Sequence, residues 1–374
     1  MKILIIDSAN LTLHYTLLYC KHLEKNNCDV TLICSEHINK NHNHLELFST
    51  IPIQFFSKYR NITKLLKAIN HLIGFVRTAF FVRKNNFDLI HFQISPLPSI
   101  DLFFIDFFKK KTKLVATIHN TDPFHGEKNF FKSFGFNKLL QKYDFLLTHT
   151  RYSKKILVNK FKVSELKIKV INIPLYGVLK PIKKKPNYEK KEYINVLFFG
   201  TLSKYKGLDL LIDSIGKLDL LDLKKIKFTI AGKPIMDIDP LIEEANKLDI
   251  QNNITWHLGW ISDDVIHQLF SKADLMILPY KNIDGSAVLV QSMEYNLPVI
   301  ASDIGGFSEL IKNNKTGFLV DIDDPDSIKN IFTYIIKNPD ILNDMSKEVR
   351  SEATKLPSWD DMAKSVISLN TPQN

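Results

Sequence analysis

Two glycine-containing turns in the sequence have the composition of an anion-binding site. The first spans residues 200–207 and includes Lys206, and the second, Asp284-Gly285-Ser286, precedes a predicted helix at about residues 287–295. Backbone N–H groups and the helix dipole favour negative charge at a helix N-terminus, and a lysine adds a full positive charge. The two turns therefore predict a diphosphate site, although the second turn taken alone fits an ordinary strand-to-helix crossover equally well.

A second group of polar residues lies in the first half of the chain. Four of them follow predicted strands and a fifth lies in the next loop: Ser8, Asn10, Gln93, His119 and His125. The carboxyl ends of parallel strands share one edge of a sheet, where ligands bind. Histidine there can donate to a hydroxyl or a phosphate, but a lone histidine more often has only structural partners. We expect that structural role for His91 and His149.

Alternating strands and helices must position both groups. Short apolar runs such as residues 2–6 and 29–34 alternate with apolar-periodic stretches, a pattern that predicts parallel strands joined by helices. Ser153 and Ser286 are expected helix N-caps. The pattern predicts an α/β fold with a first domain at 1–177 and a second at 194–356. The charged segment 178–193 contains two prolines and is predicted to be a linker, and a last helix is predicted within 357–374.

The positive charge is concentrated in the first half of the chain. The net charge is +10, yet residues 1–180 carry 27 Lys and Arg against 12 Asp and Glu. This imbalance predicts an anionic partner, unless it reflects a general lysine bias. No zinc-finger spacing, aromatic RNA-binding motif or basic zipper supports a nucleic acid. Residues 55–84 interleave basic and apolar side chains, so an anionic membrane surface is favoured, while a core helix with a solvated basic face remains open.

Other bulk features narrow the class of protein. No apolar run approaches the roughly 18 residues of a membrane span. Residues 4–6 are followed by Asp7, so the N-terminus predicts a first strand and not a signal peptide. Three cysteines without metal-ligand spacing indicate a reduced, cytoplasmic protein.

The segment 280–307 resembles the donor-binding motif of glycosyltransferase family 4, whose members are retaining enzymes of the GT-B fold. Leu297–Val299 and Ala301–Gly306 match its Leu-Pro-Val strand and its Ala-Ser-Asp-x-Gly-Gly turn. The two positions that are Glu in the family fall on Asp284 and Gln291.

Further matches extend the resemblance along the chain. Thr117-Ile118-His119 is similar to the family's Thr-x-His, and residues 174–177 are similar to its Ile-Pro-x-Gly turn. In the turn at 200–207, Lys206 and the second glycine match, while Thr201 stands where the family has Arg. The first loop, residues 8–10, lacks the glycines that are common there.

The resemblance implies a role for each candidate residue. His119, Asp284 and Lys206 would be the catalytic residues. The donor-binding residues would be Gly200, Thr201, Lys204, Lys206, Gly232, Gly259, Trp260, Asp284, Gly285, Ser286, Ala287, Val288 and Gln291. The acceptor-side residues would be Ser8, Asn10, Gln93, His119 and His125. The turn at Gly305-Gly306 would help to stabilise the leaving diphosphate, and Trp260 would flank the nucleotide base unless it packs in the core.

The implied protein has two Rossmann-like domains facing a cleft and a C-terminal helix that crosses back to the first domain. It would be a metal-independent, retaining hexosyltransferase without a cofactor, moving a sugar from a UDP or GDP donor to a lipid-linked or oligosaccharide acceptor. Capsule, exopolysaccharide or O-antigen (lipopolysaccharide) synthesis at the inner face of the membrane fits this activity. A GT-B sugar-nucleotide epimerase and a non-catalytic nucleotide-sugar-binding scaffold are the alternatives; the sequence makes no prediction of oligomeric state.

Overall fold

The computed structural model describes residues 1–9, 12–35, 53–54, 64–109, 112–122, 135–177 and 192–370. The chain divides into two compact units, which we call unit 1 (Met1–Pro174 with Pro357–Asn374) and unit 2 (Leu175–Leu356). Each unit contains one parallel sheet with connecting helices, the arrangement of a Rossmann-like domain. Most of the predicted linker, residues 178–191, lies outside the described residues.

Unit 1 is built on a seven-stranded sheet in which every neighbouring pair is parallel, in the order β3-β2-β1-β4-β5-β6-β7. The strands are β1 Lys2–Asp7, β2 Asp29–Cys34, β3 Ile53–Gln54, β4 Leu89–Ile94, β5 Lys113–Ile118, β6 Phe145–Thr148 and β7 Ile168–Val170. The central strands are continuous apolar runs because helices cover both faces of a parallel sheet.

Within the described residues, five helices lie between these strands. They are α1 Leu13–Lys25, α2 Lys64–Lys84, α3 Pro98–Lys109, α4 Phe136–Lys142 and α5 Arg151–Asn159. The N-cap of α5 is Thr150, whose hydroxyl accepts from the backbone N–H of Ser153 at 3.0 Å. The expectation that Ser153 is the cap is therefore wrong. The helix begins at Arg151, so Ser153 is its third residue.

Unit 2 has a six-stranded parallel sheet in the order β10-β9-β8-β11-β12-β13. Its strands are β8 Ile194–Phe199, β9 Ile226–Gly232, β10 Ile254–Leu258, β11 Leu275–Leu278, β12 Val299–Ser302 and β13 Gly317–Val320. Its helices are α6 Leu208–Gly216, α7 Leu220–Leu223, α8 Asp239–Lys247, α9 Asp263–Lys272, α10 Ala287–Glu294, α11 Phe307–Leu310, α12 Ser327–Lys337 and α13 Ile341–Ala353. Strand order reverses between β8 and β11, and such a switch point opens a ligand crevice at the carboxyl ends of the strands.

The turn at 174–177, predicted to close the first domain, divides between the units. Leu175 packs against a small apolar cluster of unit 2 that includes Met293 and Val349. The backbone N–H of Gly177 donates to Glu294 Oε1 at 2.6 Å, so the buried carboxylate at the end of α10 fixes the chain on unit 2. The observed boundary therefore lies after Pro174 and not after residue 177.

The last helix, α14 Trp359–Ser368, returns to unit 1, as the predicted fold class requires. It packs along α1, where His22 Nδ1 lies 2.8 Å from Asp360 Oδ1 and the Tyr15 hydroxyl donates to Met362 Sδ at 3.1 Å. A capping box starts the helix, because Ser358 accepts from the backbone N–H of Asp361 and Asp361 accepts from that of Ser358. Within the described ranges, no helix is both long and apolar enough to cross a membrane.

We predict that Ser358→Ala destabilises this return of the chain. Losing an N-cap hydroxyl costs about 1 kcal/mol, because the helix is left with an unpaired backbone N–H. Hydrogen exchange of the α14 amides, together with the melting temperature of the whole chain, measures the loss. Lys364→Ala, at an exposed position of the same helix, is the control and should change stability little. Equal protection in the two variants would contradict the prediction.

Candidate functional site

Three of the predicted glycines line the carboxyl ends of neighbouring strands in unit 2. Gly200 follows β8, Gly232 ends β9 and Gly259 follows β10. The N–H of Gly259 donates to the carbonyl oxygen of Gly232 at 3.0 Å. Gly232 has a φ of +151°, and a Cβ atom there would overlap the Gly200 carbonyl. Only glycine permits this approach, so the strand ends form a tight backbone surface.

Lys206 lies against this surface and is only 6% exposed. A Cβ atom at position 200 would overlap Lys206 Nζ, and it would lie 3.5 Å from Val288 Cγ2. Gly200 and Lys206 of the first turn therefore meet Val288, which lies far from them in the sequence. The structure thus brings the two predicted anion-binding turns together.

The Lys206 ammonium lies in an unusual electrostatic environment. Burial lowers its pKa, and its Nζ is 5.2 Å from the centre of the Tyr280 ring. Among the residues that the structure describes, no carboxylate forms an ion pair with it. A cation–π contact stabilises a buried ammonium only in part, since burying a charge without a counter-charge is costly. The site is therefore complementary to an anion.

The N-terminus of α10 adds to the positive potential. As predicted, Ser286 is the N-cap and accepts from the N–H of Leu289 at 3.2 Å. The backbone amides of Ala287 and Val288 have no hydrogen-bond acceptor in the described part of the chain. These amides belong to the first turn of the helix, whose N–H groups have no acceptor within the helix. They are available to a ligand oxygen beside Lys206.

The remaining donor-side candidates differ in exposure. Asp284 is buried, Gly285 and Gln291 are half-buried, and Thr201 and Lys204 are on the surface. The Asp284 carbonyl accepts from the N–H of Gly306 at 3.0 Å. The expected contribution of Gly306 to a diphosphate site is therefore wrong, because its N–H already fixes the loop that carries Asp284.

Trp260 is presented to solvent at the end of β10. Its side chain is 86% exposed, which excludes the alternative that it packs in the core. The preceding Gly259 has no atom within 4 Å of an ideal Cβ position, so the space around this strand end is open. A planar ligand group could stack on such a ring.

In unit 1, the ends of β1 and β4 come together. The hydroxyl of Ser8 donates to the Ile94 carbonyl at 3.5 Å. Gln93 is completely buried, and neither polar atom of its amide has a hydrogen-bond partner among the described residues. Buried amides are normally satisfied, so Gln93 has the properties of a ligand-binding residue. Asn10 and His125, the other two candidates in loops, lie outside the described residues.

His119 forms an aromatic cluster with Tyr15 and His149. Its ring centroid lies 5.0 Å from that of Tyr15 and 5.2 Å from that of His149. The Nδ1–H of His149 donates to the Ile171 carbonyl at 2.9 Å, so Nε2 of the neutral ring is an acceptor. Neither His119 Nε2 nor His149 Nε2 has a hydrogen-bond partner within the described ranges, and both atoms are buried.

Sequence reasoning assigned His149 a structural role only, yet the structure places it beside His119. The signal was present, since His149 follows β6 as His119 follows the neighbouring β5. His91, in contrast, has both ring nitrogens within hydrogen-bond distance of a hydroxyl, at 3.0 Å from Tyr19 and 2.8 Å from Thr117. Its environment fits the expected structural role.

Burial determines the protonation of these rings. It lowers the pKa of His91 to about 3 and that of His149 to about 4, and it lowers the pKa of His119 well below its ordinary value. All three are neutral at pH 7. The unit 1 cluster can therefore exchange hydrogen bonds with hydroxyl groups, whereas the unit 2 site attracts an anion by charge.

Two family models match the chain. Residues 14–173 match the model described as Glycosyltransferase Family 4, and residues 180–352 match the model described as Glycosyl transferases group 1. The chain belongs to the family 4 type of glycosyltransferases. This family supports transferase activity, and the chain has the GT-B class of fold, in agreement with the resemblance found in the sequence.

Individual relatives of this glycosyltransferase agree with the family. An uncharacterized 41.2 kDa protein in the cps region of Klebsiella pneumoniae is 28% identical over 319 residues, which are 82% of this chain and 83% of the relative. The solved structure of Anabaena Alr3699/HepE in complex with UDP and glucose has a TM-score of 0.77 at 15% identity, over 99% of both chains. Sucrose-phosphate synthase from Thermosynechococcus elongatus has a TM-score of 0.79 at 16% identity, over 99% of this chain and 98% of that one.

We predict that His149→Gln flattens the pH dependence of stability. An unfolded histidine is protonated below about pH 6.5. Folded His149 resists protonation until about pH 4, so stability falls as the pH falls between these values. Its share is at most about 1.4 kcal/mol per pH unit, and glutamine, which does not titrate, removes it. Urea unfolding at pH 7.5, 6 and 5 measures the slope, and a slope equal to that of the wild type would refute this origin.

Proposed function

We propose that this glycosyltransferase uses a nucleoside-diphosphate sugar, with UDP or GDP as the nucleotide, and that it needs no metal ion or cofactor. One observation carries the proposal. Lys206 is a buried cation without a carboxylate among the described residues, next to Gly200 and the N-terminus of α10. A diphosphate supplies the negative charge that this site is missing. The solved Anabaena structure that shares the fold contains UDP and glucose, which agrees with the proposed donor.

The chemistry requires stabilisation of the leaving group. Breaking the bond between the anomeric carbon and the phosphate leaves negative charge on the diphosphate, while the sugar becomes oxocarbenium-like. In this proposal Lys206 and the backbone amides of Ala287 and Val288 stabilise the negative charge on the leaving diphosphate. Lys206 is buried before the reaction, which makes its electrostatic contribution larger than it would be in solvent.

Other unit 2 residues would hold the rest of the donor. Asp284 would accept hydrogen bonds from the sugar hydroxyls, and Gln291, one turn into α10, would bind the ribose. Gly259 would leave space for the base, and the exposed Trp260 ring would stack on it. Thr201 and Lys204 lie on the surface of the phosphate-binding turn and would contribute less than Lys206 does.

The acceptor would bind in unit 1. Desolvation lowers the pKa of His119 and keeps its ring neutral, so it can form a hydrogen bond with a hydroxyl without attracting a second phosphate. The buried amide of Gln93 offers both a donor and an acceptor to the same kind of group.

We propose a lipid-linked or oligosaccharide acceptor, a hexosyl donor and retention of anomeric configuration. The relative in the Klebsiella cps region supports a role in the synthesis of a surface polysaccharide such as capsule, exopolysaccharide or O-antigen. The cytoplasmic face of an anionic membrane is the proposed location.

A non-catalytic nucleotide-sugar-binding scaffold is the alternative with a specific observation in its favour. Asp284 and Gln291 occupy the two positions that are Glu in the family pattern that the chain resembles. Release of free nucleotide with and without a lipid-linked sugar separates the possibilities. Acceptor-dependent release supports transfer, binding without release supports the scaffold, and conversion of the donor sugar without an acceptor supports an epimerase.

We predict that Lys206→Met weakens donor binding by roughly 10- to 100-fold, because a buried charge-assisted contact to phosphate is lost. Gly200→Ala should act in the same direction, since the added methyl group would displace the ammonium. A thermal-shift screen with UDP-, GDP- and ADP-sugars identifies the donor, and calorimetry measures its affinity. Lys204→Met is the control: it removes an exposed lysine from the same turn and should change affinity by less than about threefold. If Lys206→Met binds as tightly as the wild type, the site is wrongly assigned.

We predict that EDTA leaves transfer unchanged, because Lys206 and helix amides take the place of a metal ion at the diphosphate. Among the described residues, no group of three or more His, Cys, Asp or Glu side chains is arranged to hold a metal. Initial rates of transfer with EDTA and with added Mg²⁺ or Mn²⁺ test metal independence directly. NMR of the product gives its anomeric configuration and tests the proposed retention. Loss of activity in EDTA that Mg²⁺ restores would refute metal independence, and an inverted anomer would refute retention.

A further inference from the structure

Helix α2 exposes a continuous apolar stripe. Its large exposed side chains recur at helical spacing and include Leu65, which is 70% exposed, and Phe80, which is 62% exposed. The stripe also includes Ile69, Leu72, Ile73 and Val76. At about 100° per residue, these six side chains fall within an arc of about 100°. A helix of a soluble protein normally buries such a stripe in the core.

The neighbouring helix α3 extends this surface. Phe103 is 79% exposed and Phe107 is also exposed. The two helices pack together through buried rings on their other sides, with 5.5 Å between the centroids of Phe75 and Phe104. We call the six α2 side chains together with Phe103 and Phe107 the α2–α3 face. Exposed apolar surface of this kind marks an interaction site.

The charge beside this face is positive. Helix α2 contains no acidic residue and five basic ones, Lys64, Lys67, Arg77, Arg83 and Lys84. Arg77, Arg83 and Lys84 are exposed, and at about 100° per residue they fall within or close to the apolar arc. The two acids of α3 are already engaged: Asp101 is buried 2.7 Å from His71 Nε2, and Asp106 pairs with Lys142 at 2.7 Å.

We propose that the α2–α3 face docks on an anionic lipid bilayer. Its apolar side chains would enter the boundary between headgroups and acyl chains, while Arg77, Arg83 and Lys84 meet the lipid phosphates. The charge favours a membrane over another partner, because exposed basic side chains next to large exposed aliphatic and aromatic side chains complement an anionic bilayer. The inference deepens the proposed function by naming the surface that brings the enzyme to a lipid-linked acceptor, and to that extent it rests on that function.

Contacts within unit 1 connect this face to the proposed acceptor residues. Both helices begin at the edge of the sheet where the strands end, because each runs antiparallel to the strands it connects. Asp101, in the first turn of α3, bonds to His71 of α2 and also accepts from the hydroxyl of Ser95. Ser95 is two residues beyond Gln93. A bilayer bound to the face is thus placed beside the edge that carries Gln93 and His119.

Vesicle flotation of the full chain tests the surface. Vesicles of phosphatidylcholine with about 30% phosphatidylglycerol should bind the protein at low salt, whereas pure phosphatidylcholine should bind it at least about tenfold more weakly. The triple variant Leu72→Gln, Phe80→Gln, Phe103→Gln should lose about tenfold or more in partitioning. Arg77→Gln, Arg83→Gln, Lys84→Gln should remove most of the preference for anionic lipid and of the salt dependence.

A matched variant controls for exposed apolar residues in general. Leu166→Gln, Leu220→Gln, Leu221→Gln replaces three strongly exposed leucines that do not belong to the α2–α3 face and should bind vesicles as the wild type does. All replaced side chains are exposed, so the variants should fold, which circular dichroism and melting temperature verify. The proposal is overturned if the wild type does not bind, if the face variants bind equally well, or if the control variant loses as much.

Two further measurements separate this proposal from its alternatives. If sedimentation shows a dimer of the wild type that the apolar triple variant converts to a monomer, the face is a protein interface and the membrane proposal fails. Donor-induced thermal shifts are measured on the same variants. Donor binding and transfer without vesicle binding would refute only the docking surface, whereas vesicle binding without donor binding would refute only the proposed function.

Discussion

The desolvated charge of Lys206 is the constraint on which the unit 2 site depends. A buried ammonium without a carboxylate partner is unfavourable, and the surrounding structure must hold it in place. Gly200 leaves room for Nζ, the Tyr280 ring stabilises it in part, and the N-terminus of α10 adds positive potential instead of relieving it. An anion that binds beside Lys206 removes the cost of the unpaired buried charge, and this gain in free energy favours its binding.

The two units differ in charge at the edge of the sheet where the strands end. The site in unit 2 is positively charged, whereas the histidines in unit 1 are neutral. In unit 2, burial lowers the pKa of a lysine, and the N-terminus of α10 adds further positive potential beside it. In unit 1, burial lowers the pKa of His119 and His149 so that both rings are neutral near pH 7. In the proposed reaction a charged leaving group and an uncharged hydroxyl need different environments, and the two units differ in this sense.

Local features were predictable from sequence, and long-range contacts were not. The N-cap at Ser286 and the parallel strands follow from propensity and apolar pattern, which act over a few residues. The family resemblance assigned Gly200 and Val288 to one donor site, but it predicted no contact between them, and no local rule joins residues so far apart. The position of His149 beside His119 and the use of the Gly306 N–H by Asp284 depend on how neighbouring strands and loops meet. The predicted N-cap of α5 was Ser153 and the observed one is Thr150, because the sequence offers two hydroxyl side chains that could cap that helix.

The α2–α3 face also has a practical consequence for handling the purified protein. In detergent-free buffer its leucine and phenylalanine side chains have no acyl chains to contact, so molecules will associate with one another or adsorb to chromatography resin and to air–water interfaces. Losses of this kind resemble misfolding in a yield measurement, although the chain is folded. Mild detergent or lipid nanodiscs during extraction would separate the two causes.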